Sequence, residues 1–78
     1  MIGNNVKWMD EYGDINSGEV LNISSDKFDD VKYEDEYMYW SKKTKSYRPV
    51  KDKDMDSMFF EIKGEVYNNF ITINEVMV

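Results

Sequence analysis

The sequence predicts a small all-β domain: one antiparallel sheet of five to six strands, bent strongly enough to close into a barrel. Three observations carry this. Val, Ile, Tyr, Phe and Trp recur in short runs, several of them with period-two alternation. The four glycines and the single proline punctuate those runs. Residues 1–78 make one domain, with so little room for helices that a sheet closed on itself is the economical way to bury an apolar face.

"NNVKWM" reads as the first strand, with Val6 and Trp8 on one face. "DEYGDINSG" is an acidic turn region holding Gly13 and Gly18, and "EVLNIS" returns as the second strand with Val20, Leu21 and Ile23. Together they form a hairpin with a long connection. "SDKFDD" is turn-like, and Phe28 is expected to fold back onto the core. "VKYEDEYMYW" is the third strand; neither of its faces is purely apolar, so a bulge near Asp35 is expected. The competing reading of residues 26–36 is one helical turn, opposed by its β-branched and aromatic residues.

"SKKTKS" is a turn. "YRPV" begins a return strand, which belongs at an edge because Pro49 cannot donate to a ladder. "KDKDMDS" is a charged loop. In "MFFEIKG", Met58, Phe60 and Ile62 alternate with Phe59 and Glu61. "EVYNNFITINEVMV" is read as a turn at "YNN" and a last strand in which Phe70, Thr72, Asn74 and Val76 oppose Ile71, Ile73, Glu75 and Met77. That apolar, β-prone end invites a homodimer or small homo-oligomer through strand addition.

The opening pattern is glycine, an alternating strand, a polar turn, glycine and a second apolar strand. Gly3, Val6, Trp8, Gly13, Gly18, Val20 and Ile23 carry it, and over residues 1–23 it resembles the first hairpin of SH3-like small barrels of the KOW and Tudor kind. The resemblance implies an SH3-like barrel and no particular activity, because such barrels host many functions.

Composition excludes several chemistries. The chain has no His and no Cys. A Ser-His or Cys-His nucleophile, a Cys/His zinc site and a disulfide are therefore impossible. No glycine-rich phosphate loop is present. Asp52, Asp54 and Asp56 alternate like the start of a calcium loop, but Ser57 and Lys63 stand where an EF-hand needs Gly and Glu. Glu34 and Glu36 share a strand face, yet nothing else marks a cleft for acid-base hydrolysis. The expectation is no enzyme, no metal and no cofactor. No apolar run is long enough to span a bilayer, and the start lacks the pattern of a secretion signal, so the expected location is the cytoplasm. The excess of Lys over Arg and the abundance of Asn and Ile suit an AT-rich coding genome, such as a low-GC bacterium or its phage. Six methionines (Met1, Met9, Met38, Met55, Met58, Met77) read as core gap-fillers or as an adaptable interface.

Charge is unevenly spread. Six of the ten basic residues (Lys42, Lys43, Lys45, Arg48, Lys51, Lys53) lie in positions 42–53 of a chain whose net charge is −6. Tyr39, Trp40 and Tyr47 accompany them. This arm reads as a solvated hairpin tip that blocks edge pairing, as a surface for an acidic partner built on residue types common at binding hot spots, or as a nucleic-acid contact. The acidic remainder argues against direct nucleic-acid binding. The acids Asp26, Asp29, Asp30, Glu34, Asp35 and Glu36 form a second candidate surface, a DNA mimic in outline, with Asp10, Glu11 and Asp14 as another patch. The bland reading of any single acid is solubilising charge.

In size, charge and lack of catalytic groups the chain is similar to small acidic inhibitors encoded by phages and mobile elements. The expectation is a non-enzymatic interaction protein that inhibits a larger host protein, in defence or nucleic-acid processing. Its partner-binding residues would be Tyr39, Trp40, Lys42, Lys43, Lys45, Tyr47 and Arg48, with the acidic cluster as the second surface. The alternatives are an oligomer that sequesters an anionic small molecule or nucleotide between basic arms, and a structural or regulatory subunit.

Overall fold

The computed structural model describes residues 2–77, so the ends of the chain read above, Met1 and Val78, lie outside the described residues. Eight strands are present among the described residues: β1 (Asn5–Met9), β2 (Ile15–Ser25), β3 (Lys32–Glu34), β4 (Glu36–Ser41), β5 (Ser46–Pro49), β6 (Met58–Ile62), β7 (Asn69–Thr72) and β8 (Val76–Met77). Two 3-10 turns, Asp52–Ser57 and Ile73–Glu75, connect them. The strands form a five-stranded antiparallel sheet in the order β7-β6-β2-β1-β8 and a three-stranded antiparallel sheet β3-β4-β5.

The five-stranded sheet follows from alternation. β1 pairs with β2 from Asn5 opposite Glu19 to Met9 opposite Ile15, and Trp8 is buried. Gly18 lies inside β2 opposite Val6, not in the turn where the pattern had put it. A Cβ there would stand 2.4 Å from Ile62 Cγ2, so the absence of a side chain is what lets β6 lie this close. The ladder between β2 and β6 shifts register between Val20 and Asn22, a bulge that makes Leu21 the extra residue. Val20 and Ile23, three apart, can then both face the core, which strict alternation would forbid. Met58, Phe60 and Ile62 of β6 are all buried, and with Trp8, Val20 and Ile23 they are the core.

The C-terminal segment is not one strand. β7 pairs with β6, the 3-10 turn at Ile73–Glu75 redirects the chain, and β8 pairs with β1 on the far side of the sheet. The charged loop after β5 is likewise a 3-10 turn.

The expected third strand is two strands. The chain reverses at Asp35, which sits at φ 64, and Glu34 pairs directly with Glu36. What looked like a bulge is a hairpin tip. β4 then pairs with β5 through Trp40 opposite Tyr47 and Tyr39 opposite Arg48, and β5 lies at an edge, as Pro49 requires. This meander, called the ribbon below, packs Val31, Tyr37 and Phe28 against the core. The radius of gyration is 13.2 Å, against about 11.5 Å for a compact chain of this length. Such elongation accords with a ribbon set beside the sheet and not within it.

Candidate interaction surface on the ribbon

The ribbon is built without glycine: the four glycines stand at 3, 13, 18 and 64. Yet its turning points need left-handed backbone. Asp30, Asp35 and Lys45, at φ 51, 64 and 52, are the non-glycine residues with positive φ among those described. A left-handed L-residue costs about 1–2 kcal/mol, with Asp better tolerated than Lys. At each turn the chain therefore keeps a charged side chain where glycine would be easier.

Alternation divides the aromatic residues of β4 and β5 between two faces. Tyr39 stacks on Phe28, with ring centroids 4.2 Å apart, and Phe28 packs on the core. Tyr39 is thus an anchor of the ribbon, and its cross-strand neighbour Arg48 shares that face while staying exposed. Trp40 and Tyr47 occupy the opposite face, in edge contact at 5.2 Å. Lys32 Nζ sits 3.9 Å from the centre of the Tyr47 ring, and the Tyr47 hydroxyl donates to Asp30 Oδ2 at 2.8 Å. That bond raises the Tyr47 pKa, because ionisation would remove the donor and set two negative charges side by side. Trp40, Tyr47 and Lys32 form one aromatic-basic patch. Lys32 escaped sequence reading because it is embedded in the acidic stretch; its period-two spacing from Glu34 was visible, its approach to Tyr47 was not.

Lys42, Lys43 and Lys45 lie together in the β4–β5 turn, which is pinned by Ser41 Oγ accepting from the Thr44 amide and by a Thr44–Ser46 hydroxyl contact. Lys42 Nζ is 3.5 Å from Asp29 Oδ2. Lys43, Lys45 and Arg48 make no ion pair among the described residues.

The acidic cluster is not one surface. The Asp29 carbonyl accepts from the Trp40 amide, so Asp29 and Asp30 lie beside the basic end of the ribbon and partly neutralise it. Glu34, Asp35 and Glu36 form the opposite tip, at the other end of β4, about 17 Å away at strand rise. Glu34 pairs with Lys32 at 3.0 Å. Asp26 is set apart, its amide donating to the Ser57 carbonyl. A continuous phosphate-like row along residues 26–36 is therefore replaced by two ends of opposite character on one ribbon.

The second acidic patch is partly structural. Asp10 Oδ1 accepts from the Tyr12 and Asp14 amides at 2.9 and 3.0 Å, and Asp10 Oδ2 from Asn16 Nδ2 at 2.8 Å. The Asn16 bond above all holds the Asp10 pKa below its ordinary value. Glu11 and Asp14 flank the same turn. Asp52, Asp54 and Asp56 share one 3-10 turn, where Asp54 is engaged by Lys27. That bond lowers the Asp54 pKa and raises that of Lys27. Among the described residues no group of three acids converges as a cation site would require. An open apolar groove of about 350 Å³ lies between Val6, Phe60, Ile73, Val76 and Tyr37; no carboxylate or lysine lines it.

The chain matches no protein-family model, no curated protein and no solved structure.

Proposed function

We propose that this protein is a non-catalytic binding protein that engages a larger host protein through the ribbon, and that inhibition of that protein is its role. The observation that carries the reading is Lys45: a lysine held at φ 52 on an exposed tip, with no ion pair among the described residues to justify it. Strained charged residues persist where something other than the fold requires them. Beside it, Trp40 is 36% exposed in contact with Tyr47 and Lys32, the mixture of aromatic and cation found at interface hot spots. The partner surface is acidic, and the Lys42–Lys45 tip meets it. The lack of His and Cys supports a non-catalytic reading. The strand order, the long shared β2 and the 3-10 turn before β8 support an SH3-like layout, with the ribbon inserted between β2 and β6.

The test is capture from nuclease-treated lysate of a low-GC bacterium, with wild type and a Lys43→Glu/Lys45→Glu variant side by side. One stoichiometric protein held by wild type and lost by the variant is expected. A protein captured equally by both would remove the basic tip from the contact. Capture of nothing by wild type would turn the reading toward sequestration of a small anion.

A further inference from the structure

Strands with open edges are where sheets recruit more strands, and proteins block them with charge, proline or brevity. Both edges of the three-stranded sheet carry such a block: β3 is three residues long with Lys32 and Glu34, and β5 holds Arg48 and Pro49. β7, the sequence Asn-Phe-Ile-Thr, has no charge and no proline. It presents Phe70, 59% exposed, on the outer face of the sheet opposite Glu61. Phe70 borders a shallow groove of about 260 Å³ with Phe59, Ser24, Ser25 and, at its rim, the single acid Asp26. The turn leading into β7 adds Val66 and Tyr67, exposed at 88% and 77%.

We infer that β7 is the pairing edge of a two-fold dimer of this chain. Asn69–Ile71 of each copy pairs antiparallel with the same residues of the other about a two-fold axis at Phe70, so that Phe70 packs against Phe70 of the second copy and Thr72 lies at the end of the pairing. Charge selects a second copy as the occupant. Residues 66–74 form the longest uncharged run in a chain of net charge −6. Two like-charged copies meet with least repulsion there, whereas a charged partner would find no counter-charge on the strand. Antiparallel pairing of identical strands is self-complementary, as a two-fold interface requires. Three paired strand residues per copy are a short interface, so the dimer dissociates on dilution. Both ribbons remain free of this edge, and the inference stands apart from the proposed function.

Sedimentation velocity from about 1 to about 300 µM tests it. The 9.3-kDa chain should rise toward twice its mass across that range. Phe70→Lys and, separately, Thr72→Lys should stay monomeric throughout with unchanged circular dichroism, and Lys43→Glu on the ribbon should dimerise as wild type does. A wild-type chain that stays monomeric, or a dimer unmoved by either β7 substitution, overturns the inference. So does amide protection of residues 69–72 that appears only with a different protein added, which would assign the edge to a foreign strand.

Discussion

At the residue scale, the two tyrosines of the basic arm do different work. Tyr39 joins the ribbon to the core through Phe28, and Tyr47 organises the outer face through Asp30 and Lys32. Tyr39→Ala should cost about 2 kcal/mol of stability, read by chemical denaturation, whereas Trp40→Ala should cost no more than about 1 kcal/mol and act on binding. Lys45→Gly should do the reverse of an ordinary tip mutation. It relieves the left-handed lysine and should stabilise the fold by about 0.5–1 kcal/mol while weakening partner binding. Acid titration reports on Asp10 and Asp54. Both pKa values are depressed in the fold, so their contribution is complete above the unfolded carboxylate value and disappears as pH falls through the lower folded value. The melting temperature should therefore drop below about pH 4, and less steeply in Asp10→Asn. Lys27 and Tyr47 have raised values, so their contribution is full below their unfolded values and is lost as pH rises through the folded ones, above about pH 10.

At the scale of elements, β2 carries the most consequence. Its bulge at Leu21 brings Val20 and Ile23 to one core, and Gly18 admits Ile62. Gly18→Ala should destabilise by about 1–3 kcal/mol, since Ile62 is fully buried and has no room to yield. The first hairpin and β6 were legible in the sequence because Val6/Trp8 and Met58/Phe60/Ile62 alternate without interruption. The edge position of β5 was legible from Pro49 alone. The reversal at Asp35 was hidden because its turn is made of three acids and no glycine, proline or asparagine. The 3-10 break in the last segment was hidden because its period-two pattern continues across Ile73–Glu75. The basic tip was visible as charge density, but the division of Tyr39 from Trp40, and the arrival of Lys32, depend on strand register, which a single sequence does not specify.

At the scale of the whole molecule, an acidic body carries a ribbon with an acidic tip at one end of β4 and a basic tip at the other. The acids nearest the basic end, Asp29 and Asp30, orient Lys42 and Tyr47 and leave Lys43 and Lys45 without ion pairs among the described residues. On the proposed function, such polarity orients the molecule with its basic tip toward an acidic partner and its acidic body away from it. Association should therefore be salt-sensitive, and mainly in its on-rate. The most direct measurement is the affinity of the captured host protein, by calorimetry at low and high salt, for wild type and the Lys43→Glu/Lys45→Glu variant. The ribbon account predicts at least about tenfold weaker binding for the variant at low salt, a smaller gap at high salt, and an unchanged melting temperature. Equal affinities at low salt would contradict it and leave the basic tip as solubilising charge.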